Sequence, residues 1–168
     1  MTRALGLAVL AAVTVAVLFL MWWGWRRRAG RWAATVTALP QAPAGRTPAF
    51  GPVDETYLAT TPVGQLLERV PVPGLRVRTP AVVDVDPSGV LVHAGSGDLY
   101  LPAPVLVGAT AANGIAGTAV GRGDLVLIRW RAGDEELQTG LRPRHDADRA
   151  ALSAAVNALV AQPREDVR

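Results

Sequence analysis

The apolar positions of this chain form one long continuous run followed by short alternating runs. From Ala4 to Trp25 there are 22 residues without a charged side chain. At about 1.5 Å per residue, a helix of that length covers the roughly 30 Å hydrocarbon core of a bilayer. The run therefore predicts a membrane anchor over residues 1–28, with tryptophans at one interface. The predicted anchor residues are Leu5, Leu10, Val15, Leu20, Trp22, Trp23 and Trp25.

Two other interpretations of this run fit less well. A cleaved signal peptide has an apolar region of about 7–15 residues followed by small residues at the cleavage site. Here the run is longer and continues into tryptophans and arginines. A buried core helix would need a polar face, which the run lacks. An uncleaved single-pass anchor is the interpretation that the pattern favours.

Arginines flank the anchor unequally. Arg3 precedes it, whereas the juxtamembrane basic residues Arg26, Arg27, Arg28 and Arg31 follow it. Basic residues that flank a span stay on the cytoplasmic side. We therefore expect a plasma-membrane protein with its N-terminus outside and its C-terminal domain in the cytoplasm.

A proline-rich stretch separates the anchor from the rest of the chain. Four prolines fall between Pro40 and Pro52, among alanine, threonine and glycine. Proline blocks regular structure and stiffens a tether. This composition predicts a juxtamembrane linker over 29–52, a folded domain over 53–163 and a tail over 164–168.

Short alternating runs bounded by turn residues begin near Glu55 and are typical of β-strands. The turn Asp86–Gly89 suits a type I turn, although Gly89 also suits a bulge, so the register there stays open. Helical spacing suggests a turn of helix over Val63–Val70, and Leu75–Arg78 reads as extended. The strands predicted before the last hairpin are Thr56–Thr60, Ala81–Val85, Val90–Ala94, Asp98–Leu101 and Val105–Thr110.

The clearest hairpin spans Leu125–Arg142, with a two-residue turn at Gly133-Asp134. This register places six residues on one face, and it sets Arg131 opposite Glu136 on the other face as an exposed ion pair. A shift of one residue would spoil both sets. The three predicted inward pairs are Trp130 with Leu137, Ile128 with Thr139, and Val126 with Leu141.

The chain ends in an amphipathic helix. Leu152, Val156, Leu159 and Val160 form an apolar stripe at helical spacing. Asp146 or Asp148 is the expected cap of this helix, and Pro163 stops it.

Five short segments carry a family resemblance. Through them the chain resembles the bacterial pleckstrin-homology-like (PH-like) domains, in particular those of small single-pass actinobacterial membrane proteins, from about Tyr57 to Leu159. The resemblance implies a mainly β (α+β) fold: two orthogonal sheets forming a seven-stranded, partly open β-barrel or sandwich, capped by a C-terminal α-helix. It implies no established activity, and Leu141 stands where the family usually has phenylalanine. The segments are Val90-Leu91-Val92, Leu99-Tyr100-Leu101-Pro102, Gly114-Ile115-Ala116-Gly117, Leu127-Ile128-Arg129-Trp130 and Thr139-Gly140-Leu141-Arg142.

The charge distribution argues against a nucleic-acid partner. Residues 1–45 contain 5 arginines and no acidic residue, whereas residues 46–168 contain 12 arginines against 14 acidic residues. The basic excess therefore lies beside the anchor, and the folded part lacks the basic surface that nucleic-acid binding requires. There is no cysteine, which excludes disulfides and thiolate metal sites.

Candidate chemistry is sparse. The glycine-rich stretch Gly114–Gly123 lacks the spacing of a phosphate-binding loop and reads as turns, and the tripeptide Arg122-Gly123-Asp124 also reads as a turn. His93 and His145 stand alone, without a partner at metal-ligand spacing. No catalytic, cofactor or metal site is predicted. The serines Ser88, Ser96 and Ser153 lack a nucleophile context, and Asp84, Asp86 and Asp98 read as turn residues.

Strand arginines are the remaining candidates for ligand contact. Arg129, Arg131 and Arg142 are the candidate ligand-contacting residues, and the favoured interpretation of the strand arginines is scattered surface residues paired with acids. The resulting hypothesis is a membrane-tethered, non-catalytic binding or scaffold module that holds an unknown protein partner at the inner face of the membrane. The alternative is an extracytoplasmic envelope factor or enzyme accessory subunit of opposite topology. Lipid-headgroup sensing is disfavoured by the formal net charge of −2 on residues 46–168.

Overall fold

The structure is a computed structural model that describes residues 2–37, 40–65, 68–72, 75, 78–95, 97–119 and 124–162. Within these residues, helices α1 (Thr2–Thr37) and α2 (Asp146–Ala161) flank the β-structure. A short 3-10 helix, Ala103–Val105, separates the fourth and fifth strands. The strands are β1 (Phe50–Pro62), β2 (Thr79–Asp86), β3 (Gly89–Ala94), β4 (Gly97–Pro102), β5 (Leu106–Ala112), β6 (Gly114–Ile115), β7 (Thr118–Ala119), β8 (Leu125–Ala132) and β9 (Glu135–Pro143).

Seven strands form an antiparallel open sheet in the order β4-β3-β2-β1-β9-β8-β5, and β6 and β7 form a separate ribbon. The mainly β, seven-stranded prediction with a C-terminal helix is thus confirmed. The two sheets that the resemblance implies are joined here, because the 13-residue strand β1 pairs with β2 over Phe50–Tyr57 and with β9 over Glu55–Pro62. A register shift between Tyr57 and Ala59 accompanies the change of partner.

The hairpin of β2 and β3 has a regular register. Val85 lies opposite Val90, and Val83 opposite Val92, so all four valines face the core. Gly89 pairs with Asp86 without a bulge. Its φ is +154°, and a Cβ there would lie 2.3 Å from the carbonyl oxygen of Leu101. Glycine is therefore required at this position by both backbone conformation and space.

The hairpin of β8 and β9 has the predicted register, including all three inward pairs. Trp130 is fully buried, and its Nε1 donates a hydrogen bond to Thr139 Oγ1 at 3.0 Å. The predicted ion pair of Arg131 with Glu136 is wrong. Glu136 instead contacts Arg129, with 2.6 Å between Nε and Oε1, because long side chains reach diagonal neighbours across a sheet.

Buried hydroxyl groups of two strands, β9 and β1, form a relay that begins at the indole N–H of Trp130 in β8. Thr139 Oγ1 lies 3.0 Å from Thr60 Oγ1, which lies 3.0 Å from the hydroxyl of Tyr57. Each of these polar groups thereby has a partner inside the core, as buried polar groups require. The relay also ties β8, β9 and β1 together at the centre of the domain.

Helix α2 covers the core as predicted. Leu152, Val156 and Leu159 are buried. Asn157 fixes the helix to β5, because the N–H of Ala109 donates to its Oδ1 at 2.8 Å and its Nδ2 donates to the carbonyl of Ala109 at 2.9 Å. The cap prediction is wrong, since His145 is the N-cap and makes no side-chain capping hydrogen bond.

Asp146 and Asp148, the predicted caps, lie in the first turn of α2. Carboxylates there still interact favourably with the helix dipole.

The segments around β1 differ from the sequence-based expectations. Strand β1 begins at Phe50, inside the predicted linker, and Val70 pairs with Thr60 instead of completing a helical turn. Val105 belongs to the 3-10 helix, so the fifth strand begins one residue later than predicted. Leu66, Leu67, Arg76, Val77 and Pro163 lie outside the described residues.

The predicted N-terminal helix is present as α1 and extends to Thr37. Among the residues that the structure describes, no helix has the length and apolar character needed to cross a membrane. Insertion of α1 into a bilayer stays a prediction.

Replacing Trp130 by alanine tests the core. Because the indole is fully buried and hydrogen-bonded, we expect Trp130→Ala to lower the free energy of unfolding by about 3–5 kcal/mol. The neighbouring exposed residue offers a matched control, and Arg131→Ala should cost less than about 1 kcal/mol. Thermal melts of the two variants measure both effects, and an unshifted Trp130→Ala melt would contradict the core assignment.

Candidate functional site

A cleft of about 690 Å³ opens between the sheet and the start of α2. Its walls come from β1, β2 and β9 around residues 54–56, 80–82 and 142–144, and from Asp146 and Arg149 of α2. Its size falls in the range of small-molecule and side-chain binding pockets. The cleft therefore has the shape of a binding site, and its chemistry depends on the charged groups that line it.

Glu55 forms the floor of the cleft. Alternation along β1 places Glu55 on the same inward face as Tyr57, and it is flanked by Ala81 of β2 on one side and Pro143 of β9 on the other. Only 4% of its surface is exposed, and neither carboxylate oxygen has a hydrogen-bond partner in the described structure. Burial and, as a smaller cause, the nearby carboxylate of Asp148 together raise the pKa of Glu55 to about 8.

The rim of the cleft carries arginines that are paired with acids. Arg149 lies 2.5 Å from Asp146 and 3.8 Å from Asp124. Asp124 also lies 3.9 Å from Arg142. A further rim arginine, Arg144, lies 3.7 Å from Asp54. The positive charges at the rim are thus compensated locally, whereas the floor is not.

The predicted ligand-contacting arginines do not form one site. Arg142 lines the cleft together with Arg144 and Arg149. Arg129 is held by Glu136, and Arg131 is exposed on the same face of β8. Ligand contact by any of these residues stays a prediction.

Anchor and juxtamembrane residues lie along α1. Leu10, Val15, Leu20, Trp22 and Trp23 are exposed. The guanidinium of Arg26 lies 5.3 Å from the ring centroid of Trp22, and that of Arg27 lies 4.8 Å from that of Trp23. Of the predicted anchor and juxtamembrane residues, four have side chains outside the described part of the structure: Leu5, Trp25, Arg28 and Arg31.

The weaker sequence candidates have structural roles where they are described. His93 pairs with Asp98 at 2.5 Å on the exposed surface. Gly114 to Ala119 form a tight hairpin whose turn residues, Ala116 and Gly117, have positive φ. Arg122 and Gly123 lie outside the described residues. No group of three or more metal-ligating side chains occurs in the described part of the chain.

Arg46, which the sequence-based reasoning missed, binds the chain before β1 to the sheet. Its guanidinium contacts Asp84 at 2.7 Å and Asp86 at 2.6 Å, and it donates to the carbonyl of Gly89 at 3.1 Å. It also lies over the ring of Tyr100, 5.3 Å from the centroid. The side chain of Arg46 is only 8% exposed, so this is a largely buried ion cluster.

The two aspartates of this cluster respond differently to their environment. The pKa of Asp84 is raised, chiefly by burial and also by the neighbouring carboxylate of Asp86, although Arg46 lowers it. Burial acts on Asp86 too, but hydrogen bonds from Ser88 and Arg46 outweigh it, so the pKa of Asp86 is lowered. These carboxylates, which the sequence indicates as turn residues, therefore hold a cation that belongs to the chain itself.

Glu55 was also missed. The interpretation started the first strand at Thr56, which left Glu55 outside it. The signal was the period of two in Val53, Glu55 and Tyr57, which places all three on one face once the strand begins earlier.

Removing Arg46 should destabilise the domain. Arg46→Ala leaves Asp86 buried and Asp84 partly buried without their cation, and breaking a buried pair in this way costs up to about 3–5 kcal/mol. Thermal melts measure the loss. An exposed arginine serves as the control, since Arg131→Ala should shift the melting temperature little. Equal shifts for the two variants would show that the ion cluster stabilises the domain no more than an exposed arginine does.

Glu55 should make stability depend on pH. Below its ordinary pKa of 4.5, the folded and unfolded states both bind the proton. Between that value and about 8, only the folded state keeps it, so the free energy of unfolding falls as pH rises and levels off above about pH 8. We expect this contribution to be on the order of a few kcal/mol.

Chemical denaturation of wild type and Glu55→Gln between pH 5 and pH 9 measures this slope. The variant should lose much less stability over this range than wild type. Asp54→Asn, which changes an exposed rim acid on the adjacent position, should keep the wild-type slope. Parallel profiles for wild type and Glu55→Gln would contradict the prediction.

Comparison with known proteins assigns the fold. No curated protein matches the chain. A family model described as Bacterial PH domain-like matches residues 36–157, which is well over half of the chain and includes the whole seven-stranded sheet and most of α2. The chain therefore belongs to the Bacterial PH domain-like family.

Proposed function

We propose that this protein is a non-catalytic binding module that α1 tethers to the plasma membrane, where its domain holds a protein partner at the inner face. The observation that carries the proposal is the PH-like domain itself, since a PH-like domain suggests a binding or scaffold role. The cleft at the start of α2 gives this domain a site for binding part of a partner.

The exposed apolar surface of α1 supports the tether. Among the side chains of this helix that the structure describes, twelve large apolar ones are between 45% and 69% exposed. Monomeric proteins in water rarely expose an apolar surface of this extent, and such patches mark contacts with membranes or proteins. The 22-residue uncharged run supports a bilayer as the contact.

The end of the run supports its placement at an interface. Arg26 and Arg27 stack over Trp22 and Trp23 at the end of the uncharged run. Indole rings favour the headgroup region, and arginines there interact with anionic lipid. The excess of arginine after the run favours a cytoplasmic domain.

Reporter fusions test the topology. A phosphatase that is active only outside the cytoplasm, fused after Arg168, should be inactive, and a fluorescent protein at the same position should be bright. The reason is the distribution of arginine, with four after the anchor and one before it.

Removal of the positive charges provides the control for this experiment. Replacing Arg26, Arg27, Arg28 and Arg31 by glutamine should weaken the preference for a cytoplasmic C-terminus. The activity of the phosphatase fusion should therefore rise. An active phosphatase on the unmodified chain would reject the cytoplasmic binding module and favour the alternative, an extracytoplasmic envelope factor or enzyme accessory subunit.

A further inference from the structure

The floor of the cleft contains an acid without a counter-ion. Glu55 is 4% exposed, and both of its oxygens lack a hydrogen-bond partner in the described structure. Its charged neighbour is Asp148, which has the same sign. Buried carboxyl groups normally have a partner, and the described chain supplies Glu55 with neither a hydrogen-bond donor nor a cation that would offset its burial.

The rim and floor together favour a cation over an anion. Four acids and three arginines line the cleft, and those arginines are all in contact with rim acids. An entering anion would meet arginines whose terminal nitrogens already contact rim acids, although the buried Nε of Arg149 has no hydrogen-bond partner, and would then approach Glu55 and Asp148. An entering cation would gain the attraction of both acids in a region of low dielectric constant.

We propose that this cleft binds the ammonium or guanidinium group of a basic side chain of the protein partner, with Glu55 as its carboxylate ligand. The inference rests on the proposed function as a binding module and names the chemistry that the module recognises. The cleft, about 690 Å³, is large enough to receive one such side chain.

Binding of a cation should be linked to release of a proton. The free protein keeps Glu55 largely protonated at pH 7, whereas a cation favours the carboxylate. Binding should therefore tighten by about tenfold between pH 7 and pH 9. Asp148 of α2 acts on Glu55 electrostatically. The charged and titratable groups that share the cleft with Glu55 are Asp54 of β1, His93 of β3, Arg142 and Arg144 of β9, Asp124 before β8, and Asp146 and Arg149 of α2.

Calorimetry of the full-length protein in nonionic detergent tests the proposal. The probe is Nα-acetyl-lysine methylamide, titrated at pH 7 and pH 9 in buffers of different ionisation enthalpy. We expect release of close to one proton at pH 7, together with the tighter binding at pH 9. Glu55→Gln should lose binding at least tenfold, whereas Asp134→Asn, in the exposed turn between β8 and β9 and not part of the cleft lining, should retain it within about threefold.

Two further measurements make each outcome decisive. A melt at pH 5 checks that Glu55→Gln is folded, and inorganic phosphate serves as the anionic probe. The proposal would be overturned if the lysine probe does not bind, or if folded Glu55→Gln binds it as tightly as wild type. Binding of phosphate in the cleft would also overturn it. Binding of spermidine with no response to the lysine probe would assign the cleft to free amines and would also overturn it.

Failure of this inference can be told apart from failure of the proposed function. Crosslinking in the native host compares partner yield for the full-length wild type and Glu55→Gln. A partner captured equally by both leaves the binding module intact and removes the cleft as its contact. An active phosphatase fusion would reject the proposal of a cytoplasmic binding module, whatever the calorimetry shows.

Discussion

Strand β1 is the constraint on which the rest of the domain depends. Its 13 residues pair with β2 at one end and with β9 at the other, so the strands β2–β4 and the strands β5, β8 and β9 form one sheet only through it. Residues 55–57 lie where the two pairings overlap. A side chain on the inner face of this overlap has strands on both sides and α2 nearby, and cannot swing out to water. Glu55 occupies that position, so its burial follows from the topology.

Local periodicity made the β8–β9 hairpin and helix α2 predictable from the sequence. The β8–β9 register and the buried stripe of α2 each depend on residues close in sequence, whose alternation or helical spacing fixes a face. Glu55 and Arg46 depend on contacts between distant segments. Arg46 lies in a proline-rich stretch that reads as a linker, and its partners, Asp84 and Asp86, lie about 40 residues later. Nothing in the local pattern of either segment indicates the other.

The sequence-based reasoning placed the excess of basic residues in the correct segment, but it did not predict the contacts of individual arginines. The basic excess does lie before residue 46, yet the contacts of individual arginines depended on sheet geometry. Glu136 selects the diagonal Arg129 over Arg131, which lies directly opposite it. Arg142, which was grouped with these two, lies instead at the cleft with Arg144 and Arg149. Spacing along a strand gives the face of an arginine, whereas its partner depends on which other strands and helices reach that face.

The energetics of Glu55 argue for a role beyond packing. A glutamine there would occupy nearly the same space without any cost of ionisation, and an apolar residue would add favourable burial. Glu55 gains no hydrogen bond in the described structure that offsets its burial, and Asp148 increases the cost of its charge. A strongly perturbed acid in a cleft is the arrangement found where a protein binds or reacts. Because a ligand that binds only the folded state stabilises it, a cation on Glu55 would offset the destabilisation that this residue causes near neutral pH. Occupancy of the cleft and stability of the domain would then rise together, through the strand that holds both halves of the sheet.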